Sequence, residues 1–275
     1  MQHEAVAVDP EDGTAYLTED NGPHSGFYRF QPNDRSGRIG SLEAGGTLEM
    51  LKVKGAECAD LRAPDQGAQY AVEWVPIEDP DKDPETLSEI ASGIPLLRGS
   101  GRSGPYLQGE ALGAARFARG EGCVAHAGTI YMVDTAGGAA RKGVVWAYEP
   151  TSERLTALFV SPGEEAANHP DNITVSNRGG ILVCEDGGSF TNAAGDFVGA
   201  RLLAISGQGE ATIFAENNTR LDRPPRGRAS IRPGDYRGGE FTGACFAPDG
   251  RTMFVNIQTP GITVAITGPF ERIGL

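Results

Sequence analysis

Carboxylates recur at matching places in four stretches of this sequence. Glu4, Glu121, the pair Asp171 and Asn172, and Glu240 each stand at the mouth of an apolar run. The run that follows each of them ends in Glu19 and Asp20, in Asp134, in Glu185 and Asp186, or in the amides Asn256 and Gln258. Carboxylates brought to close quarters cannot all stay ionised without a counter-charge, because like charges repel strongly where water is excluded. A divalent or trivalent metal ion is the simplest counter-charge. Oxygen donors select calcium, magnesium or manganese, and a thiolate among them admits iron. Cys123 follows Glu121 by two residues, so on a regular strand the two share a face. Alone, Cys123 reads as a small buried apolar residue, and each acid as a solvent contact at a turn. Recurrence joins them into one metal-site hypothesis.

The elements that must position these residues are strands. Short apolar or alternating runs are separated by Asp-Gly, Pro-Asp-Gly, Arg-Gly-Gly and Gly-Gly turns. The pattern predicts strands at 4–8, 14–19, 26–31, 48–53, 69–76, 122–126, 129–134, 144–148, 154–160, 172–176, 180–185, 201–205, 211–215, 241–247, 251–257 and 262–267. One helix is predicted at 84–92, with Asp83 as N-cap and Pro84 in the first turn. The stretches 96–110 and 217–239, rich in Gly, Arg and Pro, read as long loops. The hairpins HEAVAVDPEDGTAYLTEDNG, GEGCVAHAGTIYMVDTAGG, PDNITVSNRGGILVCEDGG and GEFTGACFAPDGRTMFVNIQTPG superimpose as a repeat. Units of roughly 40–50 residues with four strands each are the signature of a β-propeller. A β-sandwich is the alternative, and it gives no reason for acids to recur at equivalent hairpin ends. In a propeller the first strand of each blade lines the axis, where Glu4, Glu121, Asn172, Glu185 and Glu240 would gather, with Asp20, Asp171 and Asp186 nearby.

Composition excludes several classes. The 275 residues carry 24 Lys and Arg against 37 Asp and Glu, a net charge of −13, with 39 Gly and 18 Pro. An acidic balance argues against a nucleic-acid partner, which needs a basic surface. No apolar run approaches the roughly 20 residues of a membrane span. Cys58, Cys123, Cys184 and Cys245 form no CxxC pair, and Cys184 and Cys245 read as buried thiols in apolar strands. His3, His24, His126 and His169 show no zinc spacing, though His3 and His169 adjoin acids and could support them from outside. No GxSxG or P-loop appears. Trp74, Trp146 and Tyr148 read as core packing. The start, MQHEAVAVDP, has neither the basic nor the apolar region of a signal peptide and opens almost inside a strand, so an earlier element reads as missing.

The segments HEAVAVDPEDGTAYLTEDNGPHSGFYRF, RGEGCVAHAGTIYMVDT, PDNITVSNRGGILVCEDGG and EFTGACFAPDGRTMFVNIQTPGITVAITGPF, in that order, resemble the PhoX family of bacterial alkaline phosphatases and their shorter relatives. The resemblance implies an all-β chain forming one β-propeller domain over 1–275, of five to six blades, with the N-terminal part of the family domain missing. It implies an axial calcium and iron cluster that hydrolyses phosphate monoesters. Cys123 would be the thiolate ligand of iron, Glu121, Glu185 and Glu240 carboxylate ligands, Asn172 a neutral oxygen ligand and Glu4 a calcium ligand. The family places a phosphate-binding arginine near the last motif. Gly238 stands two before Glu240 here, and Arg237 is the arginine a loop could turn inward as the catalytic clamp. The resemblance further implies a small phosphorylated substrate, a monomer, and export to the periplasm or beyond. Two readings compete with the phosphatase: a metal-binding propeller without the clamp, acting as a binding or scaffold protein, and a calcium-dependent propeller hydrolase of the lactonase kind, which uses oxygen ligands only.

Overall fold

The computed structural model describes residues 2–84 and 101–275. Every strand read from the sequence is present. The helix expected at 84–92 falls almost wholly outside the described residues. Two compact units, residues 1–160 and 161–275, divide the chain. Among the described residues no helix is long and apolar enough to cross a membrane.

The first unit contains β1 (His3–Val8), β2 (Ala15–Glu19), β3 (Phe27–Pro32), β4 (Gly46–Val53), β5 (Gln69–Ile77), β6 (Gly120–His126), β7 (Thr129–Asp134), β8 (Val144–Glu149) and β9 (Arg154–Val160). They form one sheet in the order β1-β2-β3-β4-β5-β9-β8-β7-β6. The runs β1 to β4 and β6 to β9 are four-stranded antiparallel meanders, the blade unit of a propeller. β5 joins them, pairing with β4 from Ile77 to Val72 and with β9 from Ala71 to Gln69. The two ends of the sheet, β1 and β6, lie against each other. Between the two blades sits an apolar core built on Phe27, Leu51, Met132, Trp146, Tyr148 and Leu155. Trp74 Nε1–H donates to the Tyr148 hydroxyl at 3.1 Å, and Arg29 lies over the Trp74 ring at 4.7 Å. The aromatic residues are core packing, as read.

One helix, α1 (Gly104–Ala111), corrects the loop expected over 96–110. Glycine and proline there mark a start, not a loop: the Ser103 hydroxyl caps the Tyr106 N–H at 3.2 Å, and Pro105 occupies the first turn. Tyr106 and Ala114 pack with Tyr28, Leu48, Met50 and Ile77 on the outer face of the first blade. Gly109 is required by that approach, since a Cβ there would meet the Met50 sulfur.

The second unit contains β10 (Pro170–Val175), β11 (Ile181–Glu185), β12 (Phe190–Thr191), β13 (Phe197–Val198), β14 (Arg201–Ile205), β15 (Ala211–Glu216), β16 (Arg220–Leu221), β17 (Gly234–Asp235), β18 (Phe241–Phe246), β19 (Thr252–Ile257) and β20 (Ile262–Thr267). A four-stranded blade, β10-β11-β14-β15, and a three-stranded one, β18-β19-β20, enclose a core of Leu182, Cys184, Leu202, Met253, Val255 and Phe270. The other strands form two short ribbons, β12-β13 and β16-β17, the latter within the expected loop 217–239. Cys184 is buried as expected. Cys245 is exposed, which corrects its reading as a buried thiol.

The sequence repeat corresponds to a repeated irregularity. In β1-β2 the register slips between His3 and Val6, in β6-β7 between Gly120 and Cys123, in β10-β11 between Pro170 and Ile173, and in β18-β19 between Thr242 and Cys245. Each slip is a β-bulge, in which two residues oppose one across the ladder. The residue before the bulge pairs with Glu19, Asp134, Glu185 or Asn256. The first bulged residue is Glu4, Glu121, Asp171 or Gly243. Glu240, aligned with Glu4 and Glu121 in the sequence, thus lies three residues ahead of the equivalent place. Trp146 has no exposed surface at the centre of the first core. Trp146→Ala is expected to lower unfolding free energy by about 3–5 kcal/mol; a urea midpoint unchanged from wild type would refute this account of the core.

Candidate metal and anion site

The bulges aim polar side chains away from the ladder, and in the first unit they bring acids together. Glu4, Asp20 and Glu121 each offer a carboxylate oxygen, and these oxygens lie within 4.8 Å of one another. Glu4 is exposed, Asp20 half-buried and Glu121 buried. The Thr18 hydroxyl accepts from the Ala5 N–H at 3.1 Å and donates to the Glu121 carbonyl, which locks the two bulges to each other. Arg119 supplies positive charge. Its Nε and Nη2 donate to Asp20 at 3.0 and 2.9 Å, and Nη2 also reaches Glu121 at 2.7 Å. Arg119 adopts a left-handed backbone, φ 63, a conformation costly for a residue with a side chain. Sequence reasoning passed over Arg119; the signal was its place directly before the Gly120-Glu121 mouth.

The same slip separates Glu121 from Cys123. Cys123 pairs with Met132 and packs against the apolar core, whereas Glu121 joins the acids. The expectation that the two share a face fails, because the bulge resets the alternation. Burial pushes the Cys123 thiol up to about 12. Its sulfur is not among the atoms that converge with Glu4, Asp20 and Glu121. The cluster itself suits a hard cation: calcium–oxygen distances of about 2.3–2.6 Å put ligand oxygens no more than about 5 Å apart.

The acids at the hairpin ends serve another purpose. Glu19, fully buried, accepts from the Tyr28 hydroxyl at 2.6 Å and from the Gly26 N–H at 3.1 Å. Asp134 accepts from the Ala118 N–H, 3.2 Å to either oxygen. Glu185 accepts from the Asn168 N–H at 2.7 Å, the equivalent bond one blade on. It also accepts from the Arg201 N–H at 3.1 Å and from its guanidinium at 2.8 and 2.7 Å. Arg201 is 2% exposed and Glu185 1%. The guanidinium continues to the carbonyls of Glu165 and Glu164 at 2.8 and 2.6 Å. Burial raises the pKa of Glu19, Asp134 and Glu185 above the usual carboxylate range, and for Glu185 the Arg201 charge opposes that rise.

The remaining sequence-predicted residues lie in the second unit. Asn172 Oδ1 accepts from the Thr242 hydroxyl at 2.7 Å and the Gly243 N–H at 2.6 Å, tying β10 to the bulge of β18. Its amide nitrogen donates to Asp171. Glu240 lines a cleft of about 310 Å³ with Asp186, Asp235, Tyr236 and Gln258. Arg237 forms a two-pronged pair with Asp235, Nε at 2.9 Å and Nη2 at 2.7 Å, and stacks over the Phe197 ring at 3.6 Å.

Two outcomes test these roles. Glu185→Gln leaves Arg201 as a buried charge without its counter-ion and is expected to cost about 3–5 kcal/mol in guanidinium denaturation; a loss below about 1 kcal/mol would show the pair is not structural. The Arg237 hydrogen bonds hold the Asp235 carboxyl down at about 2. A folded value below the unfolded one means the tie stabilises above about 3.9 and is lost as pH falls through about 2. An NMR titration of Asp235 should give a low midpoint that rises in Arg237→Ala; a midpoint that stays put would remove Arg237 as the cause.

Comparison with known proteins bears on this site. The family described as "Alkaline phosphatase PhoX" matches residues 1–261. Among solved structures, Pseudomonas fluorescens PhoX in complex with vanadate, a transition state analogue, is similar at a TM-score of 0.59 and 19% identity. The similarity covers 96% of this chain but 53% of that protein, so the chain spans about half its length. A luciferin-regenerating enzyme is similar at a TM-score of 0.36 and 14% identity, over 98% of this chain and 92% of that one. Among curated proteins, none matches. The solved phosphatase shares the fold, and the match over nearly the whole sequence gives the lineage: the chain belongs to the alkaline phosphatase PhoX family.

Proposed function

We propose that this protein hydrolyses phosphate monoesters with a metal ion held by Glu4, Asp20 and Glu121. The convergence of three carboxylates within 4.8 Å carries the reading, and membership of the family supports it. Calcium fits the oxygen donors best. When bound, such an ion neutralises phosphoryl oxygens and activates an attacking oxygen, so that no protein nucleophile is needed. The chain's own residues do the rest. Glu121, buried on a bulge that Thr18 fixes, is the rigid donor, and exposed Glu4 completes the set from the opposing strand. Arg119 donates to both Asp20 and Glu121 and so fixes the two carboxylates relative to each other. Iron through Cys123 finds no support in the oxygen cluster, and Glu185 is committed to Arg201. Export follows the family resemblance and is part of this proposal.

A metal-binding propeller without turnover is the second reading. The engagement of Arg237 by Asp235 and Phe197 favours it, because a clamp so held is not turned toward a substrate. Hydrolysis of p-nitrophenyl phosphate by protein purified with calcium and ferric iron, and its loss on chelation, is the expected outcome. A metal-loaded, folded protein without activity would sink the phosphatase reading and leave the binding one. Elemental analysis should find calcium, reduced at least tenfold in affinity by Glu121→Gln and little changed by Glu185→Gln when the latter is folded; the reverse order would overturn the ligand assignment.

A further inference from the structure

A cavity of about 600 Å³ opens in the first unit, lined by Arg62, Arg119, Arg141, Asp60, Gly22 and Gly138, among others. Arg62 and Arg116 share Asp60, Arg119 bonds Asp20 and Glu121, and with Arg141 four guanidiniums stand against three carboxylates, which leaves one positive charge in excess in a chain whose total is −13. A concave basic surface of this size concentrates small anions against the field of the rest of the molecule. The arginines are set in place in different ways. Asp60 holds Arg62 by Nε at 2.8 Å and Nη2 at 2.7 Å, fixing the plane of the guanidinium. The same carboxylate takes Arg116 Nη2 at 3.0 Å. Asp60 therefore answers two arginines and is itself kept ionised by them. Gly138 N–H donates to the Arg62 carbonyl at 2.8 Å, and Arg141 N–H to the Gly138 carbonyl at 2.9 Å, which fixes the loop after β7 against Arg62. Arg141 is exposed, and among the described residues its guanidinium has no carboxylate partner. Arg119 links the cavity to the acid cluster, lining the one and bonding to Asp20 and Glu121 of the other.

We propose that this arginine-lined cavity binds an oxyanion, and that in turnover it takes the second anionic group of the substrate, a carboxylate or phosphate carried by the leaving alcohol. The second clause rests on the phosphatase reading; the first does not. Planar guanidiniums match the paired oxygens of carboxylate and phosphate. The metal-holding acids lie on the far side of Arg119, so a group in the cavity is one side chain away from the reacting phosphoryl. The substrate class is then doubly anionic phosphate esters, in preference to esters of neutral alcohols.

Calorimetric titration of the full chain with inorganic phosphate, in EDTA and with circular dichroism to verify folding, tests the cavity without metal or turnover. Wild type should bind, Arg141→Ala should weaken binding about tenfold, and Arg141→Lys should restore part of it. Absence of binding by wild type, or equal binding by Arg141→Ala, would overturn the site. Steady-state kinetics test the substrate class. In Arg141→Ala the KM for 3-phosphoglycerate should rise about tenfold with kcat kept, while the KM for p-nitrophenyl phosphate stays. An equal rise for both esters would overturn the second-anion assignment. Hydrolysis of neither by metal-loaded wild type would overturn the phosphatase reading, while the phosphate titration still decides the cavity.

Discussion

A carboxylate buried at the end of a strand must be given donors or give up its charge, and this requirement organises the loops around three of the hairpins, those that end in Glu19, Asp134 and Glu185. Asp134 and Glu185 meet it alike, by drawing in a backbone N–H from the segment that precedes the first strand. The segment is thereby pinned at the place where the chain enters the blade. The residue that follows it, Arg119 in one blade and His169 in the next, takes a left-handed backbone at φ 63 and 56. Glu185 adds the Arg201 pair, which reaches on to the carbonyls of Glu164 and Glu165. Glu19, Asp134 and Glu185, the acids at the hairpin ends, are fastenings of the fold.

The carboxylates that converge on one another stand instead at or beside the bulges. A bulge frees one side chain from the alternation that would send it into a core or out to solvent. Glu4 and Glu121 gain that freedom in neighbouring strands, and Asp20 meets them from just beyond β2. In the second unit the equivalent bulges are used differently. Asp171 and Asn172 bond to each other, and Asn172 reaches the N–H of Gly243, whose φ of 61 favours glycine. One device therefore yields a charged cluster in one unit and a hydrogen-bonded seam in the other.

How much of this could be read beforehand follows from which forces are local. The strands were legible because Asp-Gly, Pro-Asp-Gly and Gly-Gly turns bracket runs of apolar residues, and both signals are written within a few positions. The helix at Gly104–Ala111 was not, because glycine and proline around Ser103 look the same in a loop and in a capped first turn. The bulges were hidden for a related reason. Glu121-Gly122-Cys123 is a plain alternation on paper, and only the pairing of Gly120 with Asp134 and of Cys123 with Met132 shows that the ladder slips. Acids at hairpin ends carry no mark that distinguishes an amide-binding carboxylate from a metal-binding one; the donors that decide it, Ala118, Asn168 and Arg201, lie 16 or 17 residues away. Arg119 and Arg141 needed the folded chain, since their neighbours at Asp20 and Arg62 come from earlier strands and loops.

A bulge takes up one residue without advancing the pairing. Loss of a single residue from Glu121-Gly122, or from Glu4-Ala5, would thus close an irregular ladder into a regular one and leave the sheet order as it stands. The surviving mouth residue would be returned to ordinary alternation, away from the position that gathers the acids. Length and chemistry are uncoupled from topology at these points. In the divergence of such sequences, a one-residue deletion there is the short path by which a blade keeps its place in the sheet and ceases to contribute an acid to the cluster, with no substitution required.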